Sequence, residues 1–157
     1  MVPVDDGASP APIDRSVLER IQSLLASTRL VESAKLVTDG KLHLRIVLSG
    51  EYYPSEVTAQ LEIRWYRNDD FNVQYQEQRQ GETWTCRWDR HPNPHNSRDH
   101  FHPPPAASQA DAQDEQWPDD HRDVCQLTLD YIEDRIERLW EQHNRCARSA
   151  GSICLFL

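Results

Sequence analysis

The sequence predicts an α+β domain in which a five-stranded antiparallel meander is flanked by an N-terminal helix and a long C-terminal helix. Three observations support this fold class: a helical apolar pattern near the start, alternating apolar residues through the middle, and a second helical pattern near the end. At 157 residues, the chain is long enough for one domain with one hydrophobic core. We expect residues 1–12 to be a disordered lead, 13–148 to form the domain and 149–157 to be a tail.

The N-terminal helix is predicted from a capping pattern followed by a regular apolar face. Asp14 or Ser16 can accept hydrogen bonds from the first free backbone N–H groups, and Glu19 has the capping-box spacing after Ser16. Apolar residues then recur at helical spacing, at Val17, Leu18, Ile21, Leu24 and Leu25. The second helix is predicted to begin at Pro118-Asp119-Asp120 and to extend to about residue 147, with a similar apolar stripe.

Five strands are predicted between the helices, because apolar residues there alternate with polar ones. Their ranges are roughly 31–38, 42–49, 57–67, 70–79 and 83–89. Short turns separate them, and Asp39-Gly40 is a strong hairpin signal. Neighbouring strands joined by short turns pair antiparallel, so a meander follows. Residues 103–118 are rich in proline, small residues and acids, and are expected to form a mobile loop.

The charged residues are mostly acidic, and lysine is nearly absent. The formal net charge is −9, and only two of the 17 basic residues are lysine. This balance favours a halophilic source, in which salt screens the repulsion between carboxylates, although a GC-rich genome would also favour arginine over lysine. The negative charge argues against broad nonspecific binding of nucleic acid. No apolar stretch is long enough to span a membrane and no signal peptide is recognised, so a cytoplasmic protein with reduced cysteines is expected.

The segment 85–105 contains the densest group of titratable side chains in the sequence. It includes four of the seven histidines with charged neighbours: Arg87, Asp89, His91, His95, Arg98, His100 and His102. Histidine titrates near neutrality, so two imidazoles can supply a general acid and a general base. Arginine can bind phosphate and stabilise negative charge that develops in a transition state. RNA cleavage through its own 2′-hydroxyl needs only these groups, so this hypothesis includes no metal and no cofactor.

The histidines and one carboxylate have the acid–base roles in this hypothesis. His95 and His102 are the leading acid and base candidates, with His91 and His100 as alternates. Asp89 would orient an imidazole.

The flanking residues are expected to contact the substrate. Arg87 and Arg98 would bind phosphate, and Trp88 and Phe101 would stack on a base. Strand alternation also places Trp88 on a buried face, so core packing is the competing interpretation of that residue.

Other interpretations of the segment remain open. A metal-binding hydrolase is one, because His100 and His102 are two residues apart, as on a strand edge, although the spacing matches no strong zinc pattern. Its remaining ligands would come from Asp89, His91, His95 or Asp99. A noncatalytic interaction module is another, in which the sheet edge or the C-terminal helix binds a partner chain. A purely structural loop is the third interpretation, in which the histidines only form hydrogen bonds with the backbone.

The same segment contains short motifs with a recognisable order. They are Arg87-Trp88-Asp89, His91-Pro92, Pro94-His95 and His100-Phe101-His102. These motifs resemble the "RWDN-x-PHH" and "PHH-x-H" runs of the TumE family of toxins from toxin–antitoxin pairs, and the resemblance covers residues 30–105. The sequence departs from the pattern at Arg90, where the family has asparagine, and in having single histidines instead of doublets. The resemblance implies a small, mostly β toxin that acts on RNA or translation. It also implies a small DNA-binding antitoxin as partner. The lack of a long apolar stretch argues against a membrane partner, and a homodimer is left open.

Overall fold

The computed structural model describes residues 9–149, which contain two α-helices and seven strands. The helices are α1, Arg15–Ala26, and α2, His121–Arg148. The strands are β1 Val31–Val37, β2 His43–Leu48, β3 Thr58–Trp65, β4 Phe71–Arg79, β5 Glu82–Arg90, β6 Asp99–His102 and β7 Gln113–Asp114. Most of the predicted lead, 1–12, and of the predicted tail, 149–157, lies outside the described residues.

All seven strands pair antiparallel in their order along the chain, from β1 to β7. The meander is therefore confirmed, but the predicted number of five strands is wrong. The two additional strands were missed because β6 has four residues and β7 has two, which is too short for a clear alternating pattern. β6 forms because β5 offers it a free edge, and the pairing runs from Arg87 opposite His102 to Arg90 opposite Asp99.

α1 begins at its predicted cap and buries most of its predicted face. The Asp14 carboxylate accepts a hydrogen bond from the Val17 N–H at 3.1 Å, so Asp14 is the N-cap and Ser16 is not. The buried residues of this helix are Val17, Leu18, Ile21 and Leu25. Leu24, which was expected on the same face, is exposed.

α2 begins three residues after the predicted start, because Asp120 is its N-cap and accepts a hydrogen bond from the Arg122 N–H at 2.8 Å. Its buried residues are Val124, Cys125, Thr128, Ile132, Arg135 and Leu139. Neither α2 nor any other helix within residues 9–149 has the length and apolar character required to cross a membrane.

Cys86 and Cys125 are free, whereas Cys146 is disulfide-bonded, so the prediction of reduced cysteines is wrong for Cys146.

The hydrophobic core lies between one face of the sheet and the two helices. Alternate residues of β2–β5 face it and are mainly apolar: Leu44, Ile46, Leu61, Ile63, Val73, Tyr75, Cys86 and Trp88. Burying one large apolar side chain contributes roughly 1.5–3 kcal/mol. Ile21 of α1 and Ile132 of α2 belong to the same cluster, so both helices lie on one side of the sheet.

The other face of the sheet is polar, and we call it the polar face. Across β3, β4 and β5, the register sets Glu62 beside Gln74 and Gln74 beside Arg87. Asn72 is buried there, directly opposite Asp89. The charged residues of β5 therefore lie on the side of the sheet away from both helices.

The segment 103–118, predicted as a mobile loop, is hydrogen-bonded to the sheet near both of its ends. The Thr85 N–H donates to the Pro105 carbonyl at 2.7 Å, and the Glu115 N–H donates to the Asp99 carbonyl at 3.0 Å. A short 3-10 helix, Gln109–Asp111, and β7 lie between these points. The mobility of the segment stays a prediction, but its backbone extends the sheet.

Candidate functional site on the polar face

Strand register brings together charged residues that are distant in the sequence. Alternate residues of a strand point to the same side, so Arg87 and Asp89 of β5 share the polar face with His100 and His102 of β6. The pairing sets Asp89 opposite His100 and Arg87 opposite His102. His91 follows Asp89 by two residues and contacts the same carboxylate. We call these five residues the Asp89 cluster.

The Asp89 carboxylate is the centre of this cluster and is fully buried. Its Oδ2 lies 3.1 Å from Nε2 of His102, 3.2 Å from Nε2 of His91 and 3.5 Å from Nε2 of His100. The Arg87 Nε–H donates to both carboxylate oxygens, at 2.9 and 3.0 Å. Three imidazoles and one guanidinium therefore converge on one carboxylate.

The other ring nitrogen of each imidazole faces the backbone. The Nδ1 contacts are His91 to the Pro92 carbonyl at 3.0 Å, His100 to the Ser97 and Arg98 carbonyls at 3.0 and 3.2 Å, and His102 to the Ser108 carbonyl at 3.3 Å. A carbonyl oxygen only accepts hydrogen bonds, and so does the ionised Asp89 carboxylate that faces Nε2 of the same rings. A neutral ring with its proton on Nδ1 turns the lone pair of Nε2 toward Asp89, whereas a doubly protonated ring donates to both partners.

The environment of Asp89 keeps its carboxylate ionised. Burial by itself would raise the pKa of Asp89, because it disfavours the charged form. The contacts with His100, His102 and His91, together with the positive charge of Arg87, outweigh burial and hold the pKa well below its usual value. The cluster is therefore built around a permanent negative charge.

Three residues of the cluster also have the geometry of a metal site. One ligand atom each from Asp89, His100 and His102 lies within 4.8 Å of the other two, and all three residues are buried. The leading hypothesis from the sequence included no metal, and a metal site was left as an alternative; this grouping offers two nitrogens and one oxygen to a cation.

Two predicted site residues lie outside the cluster. His95 is exposed on the loop between β5 and β6, and its backbone N–H donates to Asn93 Oδ1 at 2.9 Å. Arg98 is half exposed and forms an ion pair with Asp70, next to the turn between β3 and β4. His95 and Arg98 are therefore not brought together with His102 and Arg87.

The two predicted base-stacking residues lie on the opposite side of the sheet. Trp88 is buried, with its ring centroid 5.4 Å from that of Phe101 and 5.1 Å from that of Tyr131 on α2. This environment favours core packing for Trp88, the competing interpretation given by strand alternation.

Sequence reasoning missed the groups that orient the imidazoles. Ser97 and Ser108 act through their carbonyl oxygens, which contact Nδ1 of His100 and His102. Any residue type has a carbonyl oxygen, so no sequence signal could have found them. Asn93 was also missed, although its Oδ1 accepts hydrogen bonds from two backbone N–H groups in an Asx-type turn, which an Asn-Pro sequence favours.

Arg90, which departs from the TumE motif, connects the site to the start of α2. Its Nε–H donates to Asp99 Oδ1 at 2.8 Å, and its NH2 group donates to the carbonyls of Trp117 and Pro118 at 3.0 and 2.9 Å. The Trp117 N–H in turn donates to Asp99 Oδ2 at 2.8 Å. Arg90 therefore has a structural role. Asparagine has a shorter side chain and could not make these contacts from the same position.

Comparison with known proteins supports the resemblance seen in the motifs. No curated protein and no solved structure matches the chain significantly. A family model described as toxin TumE matches residues 18–136. This range extends from α1 into α2 and includes every described strand and the whole Asp89 cluster. The chain therefore belongs to the TumE toxin family.

Proposed function

We propose that this toxin acts on RNA and that the Asp89 cluster is its catalytic centre. Family membership makes the chain a toxin with an antitoxin partner. The observation that carries the proposal is the presence of a guanidinium and three imidazoles around one buried carboxylate. We propose further that the antitoxin is a small protein with a DNA-binding domain.

Arg87 is the residue of the cluster proposed to bind phosphate. About 13% of its side chain is exposed, compared with 0–2% for Asp89 and the three imidazoles. Its Nε–H donates to Asp89 and its NH2 group contacts His102 Nε2 at 3.2 Å, so the guanidinium is held in one orientation. An oriented guanidinium can bind phosphate oxygens and stabilise the charge that develops on phosphorus.

The proposed reaction is attack on the scissile phosphate by the neighbouring 2′-hydroxyl. The 2′-oxygen forms a bond to phosphorus while the bond from phosphorus to the 5′-oxygen breaks. One group removes the 2′-hydroxyl proton, and another donates a proton to the leaving 5′-oxygen. The sequence-based hypothesis gave these steps to His95 and His102, but only His102 is in the cluster. The proposal therefore assigns both proton transfers to the Asp89 cluster without dividing them between individual imidazoles.

The alternative of a noncatalytic interaction module has less support. An exposed apolar face on α2 would favour it. Among the described residues, Trp140 is the large apolar side chain that α2 exposes, and its ring N–H donates to the Tyr52 carbonyl at 2.7 Å. A single hydrogen-bonded tryptophan is not a contiguous apolar patch.

The test compares two arginine variants on the polar face. Wild type, Arg87→Ala and Arg45→Ala are expressed from an inducible promoter, with growth and total RNA followed together. Arg45 is a suitable control because it is exposed on the same face, on β2. We expect wild type and Arg45→Ala to arrest growth and degrade RNA, and Arg87→Ala to lose both effects by at least tenfold. Growth arrest by Arg87→Ala at equal expression, with RNA degraded as by wild type, would contradict the proposal.

A further inference from the structure

We infer that the Asp89 cluster binds a divalent transition-metal ion, with zinc as the first candidate and Asp89, His100 and His102 as its ligands. Binding of the ion stands on geometry alone. Its use in catalysis rests on the proposed function, which it deepens by adding a cofactor to the same site. His91 contacts Asp89 Oδ2 from another side and holds the carboxylate in place.

The first argument is the hydrogen bonding of the two imidazoles. The backbone carbonyls at Nδ1 of His100 and His102 direct the lone pair of each neutral ring toward Asp89 Oδ2. Lone pairs of two nitrogens and one carboxylate oxygen then face each other. Arg87 supplies an N–H near His102 Nε2, but Nε2 of His100 lies 3.5 Å from Oδ2, beyond the usual range for such a hydrogen bond. These lone pairs repel one another, and a cation bound between the three atoms would attract all of them.

The second argument is the spacing of the ligand atoms. Bonds of 2.0–2.1 Å in a tetrahedral zinc site put neighbouring ligand atoms roughly 3.3–3.4 Å apart. Asp89 Oδ2 lies 3.1 Å from His102 Nε2 and 3.5 Å from His100 Nε2, on either side of that value. The ligand atoms of all three residues lie within 4.8 Å of one another, so coordination requires the two imidazoles to shift toward each other.

The third argument is the surroundings of the ligands. Metal-bound histidines nearly always donate their second ring N–H to a carbonyl or a carboxylate, which fixes the ring orientation. His100 and His102 have this arrangement through the carbonyls of Ser97 and Ser108. Three protein ligands leave one tetrahedral position open, as in catalytic zinc sites.

Arg87 would repel the ion, because both are positively charged, and both would bind the same phosphate group of the proposed substrate. The guanidinium already compensates the charge of Asp89, so a divalent ion must bind beside a positive group. Removing that charge in Arg87→Gln should strengthen metal binding by at least threefold. With both cations present, a phosphate group would meet positive charge on two sides.

Metal occupancy changes the roles assigned to the histidines. The lone pairs of His100 and His102 would be used in coordination, so neither ring could act as the general base. A water at the open position would become the group that exchanges protons, because zinc lowers the pKa of bound water to about 7.

The test is metal binding by the purified full chain. The protein is treated with EDTA, exchanged into metal-free buffer and titrated with zinc by calorimetry, and with cobalt by visible absorption. Variants His100→Ala and His102→Gln are compared with His143→Ala, which changes a partly exposed histidine on α2. Thermal unfolding with and without zinc gives a second readout, since an ion that binds the native state raises its melting temperature.

We expect wild type and His143→Ala to bind one zinc ion per chain and to gain thermal stability from it. His100→Ala and His102→Gln should bind at least tenfold more weakly. Absence of zinc and cobalt binding by folded wild type, or equal binding by folded His102→Gln, would overturn the inference. Metal binding without RNA degradation would instead contradict the proposed function alone.

Discussion

Asp89 determines the chemistry of the candidate site, because its carboxylate is the common partner of the other four residues of the cluster. Removing one partner of a buried ionic group leaves the others uncompensated, which costs several kcal/mol, typically about 3–5. A substitution at Asp89 would therefore affect stability as well as activity. Arg87 is the better position for testing function because its side chain is at the margin of the cluster and partly exposed.

Cys125 gives a pH-dependent prediction at the scale of one residue. Burial raises the pKa of its thiol to about 12 in the folded protein, above the ordinary value of 9. Between pH 9 and about 12 the unfolded chain loses this proton and the folded chain keeps it, so the free energy of unfolding falls as the pH rises through this window. Below pH 9 the thiol makes no contribution to the slope.

The measurement is urea unfolding of wild type and Cys125→Ala at several pH values from 7 to about 11. We expect the free energy of unfolding to fall less steeply above pH 9 in Cys125→Ala. Equal slopes would contradict the prediction. Buried tyrosines also titrate in this range, and comparing the two proteins removes their contribution.

At the scale of elements, one buried ion pair connects α2 to the sheet. Arg135 donates from Nε and NH2 to the two oxygens of Glu77 on β4, both at 2.8 Å. The Tyr75 hydroxyl donates to the same carboxylate at 2.7 Å, and the guanidinium lies 3.7 Å from the ring centroid of Trp84. This network fixes the rotation of α2 relative to β4 and β5, on the face opposite the Asp89 cluster.

Glu77→Gln should destabilise the fold by about 3–5 kcal/mol, because it leaves the Arg135 charge buried without its partner. Adding Arg135→Met should recover part of that loss, since a buried ion pair replaced by apolar groups is often tolerated. Urea unfolding of both single variants and the double variant gives the coupling between the two positions. Additive losses in the double variant would show that the pair is not coupled.

At the scale of the whole molecule, the excess of acidic residues predicts a dependence of stability on salt. The chain has 26 acidic and 17 basic residues, so its surface carboxylates repel one another. The Debye length falls from about 10 Å at 0.1 M to about 3 Å at 1 M salt, which screens this repulsion. The melting temperature should therefore rise by several degrees between these two potassium chloride concentrations. A melting temperature that stays constant or falls would argue against the halophilic interpretation.

The two faces of the sheet also differ across the whole molecule. Both helices cover one face and build the core, whereas the Asp89 cluster and its neighbours Asn72, Gln74 and Glu62 lie on the other. Core packing can therefore be changed with little direct effect on the cluster. The partly exposed guanidinium of Arg87 on the polar face is the group proposed to contact the phosphates of RNA.

Much of this architecture could be predicted from local patterns in the sequence. Alternation predicted β1–β5, and capping with helical periodicity predicted α1 and α2, because these signals are local and repeat with a fixed period. The density of histidines pointed to the segment that forms most of the Asp89 cluster, and its motifs pointed to the family that the comparison shows.

The contacts between those residues could be found only from the folded arrangement of the strands. It grouped His91, His100 and His102 around Asp89 and left His95 exposed outside the group. It also put Trp88 in the core and added the short strands β6 and β7. The physical reason is that strand register and contacts with backbone carbonyls join residues that are distant in the sequence, and no local pattern records them.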